Sequence, residues 1–332
     1  MTTSQVRTCW AISDGAAGNE RQARALAEML DSAPRVVRID VRQPWDAFAP
    51  RLTFASSSAI RDESGRALAP PWPALAIGCG RRAALATRML RRWSQGATFT
   101  VQILDPRIDP GAFDVVIAPQ HDRVRGDNVI RSIGALNPVD AGWLQAGRTA
   151  FPSLGEHGAP RTTVLIGATN SAQRVDRAYF DTLIERLATW HEHDSGSYFV
   201  SASRRTPPEI AAHLRTAFGA WPGVFWGGDE DGENPYAGFL GWADRFVVTP
   251  DSVNMISEAS ATGKPVYTFA PRAITGKLAR FHAELRASGH LRTFDAVTER
   301  PQPQALSETR AIAELVRERW LAAQKSEPRP NP

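Results

Sequence analysis

The chain has 332 residues, of which 42% are hydrophobic, and its formal net charge is only +4. The length suits two domains of ordinary size, and no stretch approaches the roughly 20 apolar residues of a membrane-spanning helix. Because the basic residues are spread out and the first residues lack a hydrophobic signal region, we expect a soluble cytoplasmic protein that does not bind nucleic acid.

Short apolar runs alternate with helical patterns, which is typical of parallel sheets covered by helices. In the first half, strands are predicted at 8–12, 36–39, 74–77, 98–103 and 115–118, with helices at about 20–30 and 81–93. A Pro- and Gly-bearing segment at 151–160 interrupts the alternation, and we predict the linker there. The second half has predicted strands at 163–166, 198–201, 223–226, 246–248 and 266–269, and a last helix at about 307–324.

This doubling predicts an α/β protein with two doubly wound, Rossmann-like domains that face a central cleft. The predicted boundaries are 1–155 for the first domain, 156–305 for the second, and 306–332 for a helix that packs back across the junction and a frayed tail. Ligands of such folds bind beyond the carboxyl ends of strands, so the loops that follow strands are the candidate functional segments.

The loop after the first strand, residues 13–20, begins at Ser13. Gly15 and Gly18 allow a tight turn there, but the dinucleotide pattern G-x-G-x-x-G is absent, which argues against a nicotinamide cofactor. Asp14 and Glu20 are candidate bases or hydroxyl-binding groups. The alternative is a turn aspartate and a first-turn glutamate that satisfy the backbone and the helix dipole.

Two more loops of the first half carry candidate side chains. The segment from Gly78 to Arg82 opens a helix and could bind an anion with the help of Arg81 or Arg82, although two solvated arginines are the alternative. His121 stands beside Asp122 after a strand, as an acid/base group would, but such a pair can also simply close a turn.

In the second half, Gly167 follows a strand and can present backbone N–H groups to a phosphate. The loop that contains Ser203 and Arg204 can do the same, with Pro207 at a favoured helix start. The acidic, glycine-rich segment 226–236 lacks the ligand spacing of a calcium loop, and we interpret it as a flexible cleft loop.

The segment 251–265 predicts a helix that opens directly out of a buried strand. Asp251 or Ser252 can cap it, and Gly263 can stop it. Such a helix start binds phosphate without a dedicated cation, and the carboxylate of Glu258 could accept hydrogen bonds from ribose hydroxyls. The alternative is an ordinary capped helix packed on a sheet.

The sequence predicts no metal site. Cys9 and Cys79 are the only cysteines and lie inside predicted strands, which favours two reduced core thiols over a disulfide. His191 and His193 are two residues apart and would point away from each other on a helix.

Five segments together resemble the "elongated mitochondria" family of mitochondrial fission, whose bacterial members are often labelled nucleoside-diphosphate-sugar epimerases. The resemblance covers nearly the whole chain. The segments are Ser13-Asp-Gly15, Gly78-Cys-Gly-Arg-Arg82, Ser203-Arg-Arg-Thr-Pro207, Glu233-Asn-Pro-Tyr236 and Asp251-Ser-Val-Asn-Met-Ile-Ser-Glu258.

That family in turn resembles GT-B glycosyltransferases, especially the lipid-linked N-acetylglucosaminyltransferase of peptidoglycan synthesis, and the non-hydrolysing UDP-sugar 2-epimerases. In those proteins a Ser…Glu-Ala…Gly-x-Pro stretch binds the nucleotide diphosphate and ribose. It matches Ser252, Glu258, Ala259, Gly263 and Pro265 here. The segment Gly-Ala-Thr-Asn that starts at residue 167 departs from the glycines and serine expected for the diphosphate loop.

The resemblance implies a metal-independent glycosyltransferase with a nucleotide-diphosphate sugar as substrate and no tightly bound cofactor. The acceptor is unidentified, with a lipid-linked or cell-envelope glycan and a peripheral membrane contact among the options. A non-catalytic adaptor and a nucleotide-sugar epimerase are the alternatives. The resemblance does not carry over a catalytic base, because no histidine stands beside the glycines of the first loop. The candidates for catalysis therefore come from the loops themselves and are Asp14, Glu20 and His121. The candidates for the nucleotide sugar are Gly167, Ser203, Arg204, Thr249, Ser252, Met255 and Glu258, and those on the acceptor side are Ser13, Gly15, Gly18, Gly78 and Arg81.

Overall fold

The computed structural model describes residues 8–169, 175–203, 205–294 and 304–326. The chain forms two compact units. The first comprises residues 1–138 and 308–332, and the second comprises residues 139–307. Each unit has its own sheet and its own buried apolar clusters. The α/β class and the two doubly wound parallel-sheet domains predicted from the sequence are confirmed.

The first unit contains a seven-stranded sheet in the order β3-β2-β1-β4-β5-β6-β7, in which only β3 is antiparallel to its neighbour. Its strands are β1 (Cys9–Ser13), β2 (Arg35–Val41), β3 (Ile60–Asp62), β4 (Leu75–Cys79), β5 (Phe99–Ile103), β6 (Val115–Pro119) and β7 (Val129–Ser132). Its first helices are α1 (Ala17–Leu30), α2 (Trp45–Phe48) and α3 (Arg81–Trp93).

Strand β1 is buried on both faces, as its unbroken apolar run predicts for a parallel strand. Cys9 and Ala11 pack with Leu26 of α1 on one face. Trp10 and Ile12 pack on the other face with residues of α3. Neighbouring residues of a strand point to opposite faces, so this one segment supplies both layers of the core.

The second unit contains a six-stranded, fully parallel sheet in the order β10-β9-β8-β11-β12-β13. Its strands are β8 (Arg161–Ile166), β9 (Ser197–Ala202), β10 (Gly223–Trp226), β11 (Arg245–Val248), β12 (Val266–Thr268) and β13 (Arg292–Thr293). Its helices are α4 (Ala141–Ala150), α5 (Arg177–Asp194), α6 (Pro208–Phe218), α7 (Tyr236–Trp242), α8 (Val253–Ala261) and α9 (Gly276–Ala287).

The first unit ends at Pro138, whereas the sequence placed the boundary within 151–160. Helix α4 belongs to the second unit because it packs closely on α7. A Cβ atom at Gly147 would lie 2.3 Å from the carbonyl oxygen of Ala237, so the two helices touch backbone to backbone. The Pro- and Gly-bearing segment forms a short 3-10 helix over Pro152–Glu156 inside the second unit instead of a linker between domains.

The last helix, α10 (Thr309–Ser326), belongs to the first unit. Ile312 and Val316 are buried in the same cluster as Leu26 of α1. The Glu308 carboxylate accepts hydrogen bonds from the backbone N–H groups of Ile133 and Gly134 at 2.9 to 3.0 Å. Helix α10 therefore shares the core of the first unit with α1. Among the described residues, no helix is long and apolar enough to cross a membrane.

Candidate functional site

The loops that follow β8 and β11 lie side by side where the order of the second sheet reverses. From β8 the chain runs outward to β9 and β10 and then returns to β11 on the other side of β8. The Gly167 N–H donates to Thr249 Oγ1 over 2.7 Å, and the Ala168 N–H donates to Asp251 Oδ2 over 2.9 Å. Loops at such a reversal flank the crevice in which doubly wound sheets bind ligands.

Gly167 contributes to this edge by allowing close approach, which differs from the phosphate-binding role expected of it. Its N–H and that of Ala168 already donate to side chains of the loop after β11. A Cβ atom at position 167 would lie 2.2 Å from Asp251 Oδ2, so only glycine fits. Burial raises the pKa of Asp251, against the lowering effect of hydrogen bonds from Thr249 and Ala168. An anion at this edge must therefore find other donors.

The loop after β9 contains one candidate donor for an anion, the hydroxyl of Ser203. Thr206 Oγ1 donates to the Gly167 carbonyl oxygen and accepts from the Ser203 N–H, both over 3.1 Å. Ser203 Oγ accepts a hydrogen bond from the Arg205 N–H over 3.0 Å, and its own O–H can still donate to a ligand oxygen. The predicted Arg204 lies outside the described residues.

Helix α8 begins immediately after the loop of Asp251. The structure assigns the cap to Ser252, whose Oγ accepts from the Met255 N–H over 3.4 Å. The positive end of the α8 dipole therefore lies at the same sheet edge as Gly167, which favours a bound anion. Ser252 and Met255 are both half-buried at this end of the helix.

Glu258, the candidate acceptor for ribose hydroxyls, is buried in the second half of α8. It is 1% exposed, and Oε2 accepts a hydrogen bond from the hydroxyl of Tyr236, the first residue of α7. The stretch from Ile256 to Ala261 is buried throughout, so Glu258 is part of the packed helix that the sequence offered as the alternative. The contact with ribose stays a prediction.

His282 of α9 was missed at the level of the sequence. It is 1% exposed, and its Nε2 lies 2.8 Å from the carbonyl oxygen of Pro250, directly before the Asp251 loop. Burial lowers the pKa of His282 to about 4, and the charge of Arg286 adds to this effect. The neutral ring then donates from Nε2 to Pro250. No sequence pattern links a helical histidine to a loop about thirty residues earlier.

In the first unit, Glu20 forms a two-pronged ion pair with Arg38, with N–O distances of 2.6 and 2.9 Å. The hydrogen bond from Arg38 lowers the pKa of Glu20, which makes it a weak base. Ser13 Oγ accepts from the Gly15 N–H, and Gly15 has the positive φ of 77° that a tight turn needs. Gly18 lies in the first turn of α1 and not in the turn before it.

Asp14 and His121 follow β1 and β6, so both lie at the carboxyl edge of the first sheet. Asp14 Oδ1 accepts hydrogen bonds from Asn19 Nδ2 and the Ala16 N–H over 3.1 and 3.3 Å. His121 is half-buried beside the buried Asp122. Their catalytic roles stay predictions.

Gly78 and Arg81 serve the packing of the first unit. Gly78 lies within β4, where an added Cβ would meet Thr87 Cγ2 at 2.7 Å. Arg81 and Arg82 both bind the Asp46 carboxylate, at 2.9 and 2.7 Å, so their charges are partly compensated within the protein. Hydrogen bonding from Arg82 is the main reason that the pKa of Asp46 is lowered. No local pattern indicates that Asp46 of α2 would reach these arginines.

The acidic segment after β10 is held in place by Arg215. Its guanidinium binds both carboxylate oxygens of Asp231 at 2.6 Å, and the Gly227 N–H donates to the same carboxylate. These hydrogen bonds hold the segment in place, whereas the sequence predicted a flexible loop. Within the part of the chain that the structure describes, no three His, Cys, Asp or Glu side chains gather in a way that could hold a metal ion.

Comparison with solved structures shows the same fold in glycosyltransferases. The glycotransferase of kitacinnamycin is 12% identical, with a TM-score of 0.52 and coverage of 97% of this chain and 95% of that chain. Os79 from O. sativa, solved in complex with UDP, is 11% identical, with a TM-score of 0.50 and coverage of 96% and 94%. At such low identity these matches establish the fold, which is that of GT-B glycosyltransferases.

Two sequence relatives and a family model give a more specific result. Mitochondrial fission protein ELM1 of Arabidopsis thaliana is 33% identical in an alignment 256 positions long, which covers 67% of this chain and only 57% of that protein. Uncharacterized protein RP120 of Rickettsia prowazekii is 25% identical in an alignment 353 positions long, gaps included, which covers 93% of this chain and 97% of that protein. The model of the mitochondrial fission ELM1 family matches residues 17–320. The chain belongs to the mitochondrial fission ELM1 family.

Proposed function

We propose that the second unit binds a nucleoside-diphosphate sugar at the carboxyl edge of its sheet, and that the protein is a glycosyltransferase. One observation carries this proposal. The loops after β8 and β11 are hydrogen-bonded together at the reversal of strand order, with the N-terminus of α8 beside them. The GT-B fold and the complex of Os79 with UDP support the same class of ligand.

The chemistry would rest on the departure of a nucleoside diphosphate. The end of α8, the Ser252 hydroxyl and the Ser203 hydroxyl are the described donors that could stabilise its negative charge, and no step needs a metal ion held by the protein. Thr249, which anchors the loop, and Met255 would line the site. For deprotonation of the acceptor, Asp14 and His121 remain the better candidates, because the ion pair with Arg38 makes Glu20 a weak base.

Isothermal titration of the full chain with UDP, GDP, CDP, CMP and their sugars tests the proposal. We expect one nucleotide to bind with a dissociation constant in the micromolar range, about −8 kcal/mol, and its sugar to be consumed in the presence of an acceptor. If none of these nucleotides binds, the proposal is wrong.

A non-catalytic adaptor is the second candidate, and membership of the mitochondrial fission ELM1 family favours it. An adaptor that kept the fold would bind a nucleotide sugar without turnover or would not bind it. Release of free nucleoside diphosphate from the bound sugar, followed by chromatography, separates the two candidates, because only the enzyme produces it.

A further inference from the structure

Two large aromatic side chains of the first unit point into solvent. Phe48 is 58% exposed and Phe54 is 84% exposed. Both belong to residues 42–59, the segment between β2 and β3, which we call the aromatic loop. Leaving such rings in water forgoes the stabilisation that burial would give, and neighbouring exposed apolar side chains mark interaction surfaces.

The aromatic loop holds Phe54 in a defined backbone conformation. Trp45 Nε1 donates to the Phe54 carbonyl oxygen over 2.7 Å, and Ser56 Oγ donates to the Thr53 carbonyl oxygen over 2.9 Å. The next residue, Ala55, has a φ of +51°, in the left-handed region that alanine rarely adopts. Backbone strain of this kind persists where the surrounding structure enforces it, often at functional sites.

Arginines surround the loop and are bound to its neutral oxygens. Arg88 donates to the carbonyl oxygen of residue 50 over 2.8 Å, Arg92 to the hydroxyl of residue 53 over 3.5 Å, and Arg61 to the carbonyl oxygen of residue 57 over 3.3 Å. Arg51, within the loop, donates to the carbonyl oxygen of residue 107 over 2.8 Å. Across the described ranges, these four side chains form no ion pair with a carboxylate, so their charges are not neutralised.

The negative charge of the loop is already compensated. Asp46 is the only acidic residue between positions 42 and 61, and it is bound by both Arg81 and Arg82. Beside Phe54 lies an open depression of about 510 Å³, whose wall includes Met89, Trp93 and Arg92. The surface therefore combines two exposed aromatic rings, a hollow lined by both polar and apolar side chains, and a surplus of guanidinium groups.

We propose that the aromatic loop and its arginines dock on a membrane surface that contains anionic phospholipid. The rings of Phe48 and Phe54 would enter the boundary between head groups and acyl chains, and the guanidinium groups would meet the lipid phosphates. A second copy of the chain would instead bring the same positive charges together, which opposes self-association at this face. The proposal does not depend on nucleotide binding by the second unit.

Vesicle flotation of the full chain tests whether the aromatic loop docks on anionic membranes. Vesicles of phosphatidylcholine with about 30 mol % phosphatidylserine should carry the protein, and binding should weaken with salt, whereas pure phosphatidylcholine should carry far less. F48S/F54S should lower the partition coefficient at least about tenfold. R51Q and R88Q should each lower it about fivefold.

The matched controls are L315S, which removes an exposed apolar side chain of α10 in the same unit, and R24Q, which removes an exposed arginine paired with Glu28. Both should bind vesicles like the unchanged protein. Absence of flotation with phosphatidylserine, or equal flotation of F48S/F54S, would refute the proposal. So would a dimer in gel filtration that F48S/F54S abolishes, since the face would then join two copies. Nucleotide titration of F48S/F54S should match the unchanged protein, which keeps this test separate from that of the glycosyltransferase.

Discussion

Glu258 illustrates how one residue can serve both the fold and a ligand. The resemblance to GT-B enzymes implies that it binds ribose, whereas the structure places its carboxylate against the Tyr236 hydroxyl with almost no exposure. A buried carboxylate needs hydrogen-bond donors, because leaving it unsatisfied costs several kcal/mol. The Tyr236 bond therefore ties α7 to α8 whether or not a nucleotide is present.

We predict that E258Q lowers the free energy of unfolding by about 1 to 3 kcal/mol, because it replaces a charged hydrogen bond by a neutral one in a buried place. Y236F, which removes the hydroxyl, should cost a similar amount. Only E258Q should also weaken nucleotide affinity, by roughly ten- to a hundredfold. Chemical denaturation measures the free energy of unfolding of both variants, and nucleotide titration measures their affinities. Equal nucleotide affinity in E258Q would remove Glu258 from the site.

His282 gives the protein a dependence on pH. Burial lowers the pKa of His282 to about 4, whereas the unfolded chain takes up the proton near 6.5. The unfolded state thus binds more protons between these values, so stability is lost as the pH falls from about 6.5 toward 4. We predict a loss of roughly 2 kcal/mol from this residue between pH 7 and pH 5.

The comparison with H282Q isolates that contribution from those of the other histidines. Glutamine can donate to the Pro250 carbonyl oxygen but does not titrate, so the stability of H282Q should fall less over the same pH range. Urea denaturation at both pH values provides the measurement. Parallel losses in the two proteins would show that His282 does not titrate as expected.

At the scale of elements, the proposed anion site depends on the N-terminus of α8. Ser252 caps α8 beside the reversal of the sheet, whereas Asp140 caps α4 of the same unit, and its Oδ1 accepts from the Trp143 N–H over 2.8 Å. Both caps satisfy an otherwise unpaired backbone donor. Of these two helices, α8 follows β11 of the second sheet, at whose carboxyl edge ligands of such sheets bind, whereas α4 follows β7 of the first sheet.

S252A and D140A are therefore a matched pair. Each should lower the free energy of unfolding by about 1 kcal/mol through loss of the cap. S252A should also weaken nucleotide binding about three- to tenfold, because a hydroxyl donor to the diphosphate is lost, while D140A should leave binding unchanged. Thermal melts and titrations test the pair, and equal binding by both variants would speak against α8 as the anion site.

At the scale of the whole molecule, the first unit is interrupted in sequence. Its core includes Ile312 and Val316 of α10 with Leu26 of α1, and Arg317 donates to the Met29 carbonyl oxygen over 2.6 Å. The second unit keeps a separate core around residues of β8, β9 and α5. The two units should therefore lose stability independently when the chain is shortened.

We predict that a chain ending at residue 307 keeps a folded second unit and destabilises the first by more than about 4 kcal/mol, because the apolar face of α1 loses Ile312 and Val316. Calorimetry should show one transition shifted down and one retained. L315S, which changes an exposed residue of α10, should leave both transitions in place. A single transition lowered as a whole would mean that the units unfold together.

The sequence by itself determined most of the strands and the class of fold. Gly223–Trp226 and Arg81–Trp93 were predicted with the observed bounds, because continuous apolar runs and a 3.6-residue period are local properties. It also placed the helix after β11 and narrowed its cap to Asp251 or Ser252, since capping depends on a few neighbouring residues, and the structure assigns the cap to Ser252. β3, β7 and β13 were not predicted, as they are short and depend on pairing with distant strands.

Only the tertiary structure decided what the predicted site residues touch. The pairing of Glu20 with Arg38, of Arg81 with Asp46, and of Glu258 with Tyr236 joins residues from different elements, and no local pattern encodes such pairs. The same holds for α4, which a close backbone contact assigns to the second unit. Burial and hydrogen-bond partners set the charge, the basicity and the accessibility of a side chain, and these depend on tertiary packing. The order of strands and helices, by contrast, is a property of the sequence, and it was enough to predict which loops lie at the ligand-binding edge of the sheet.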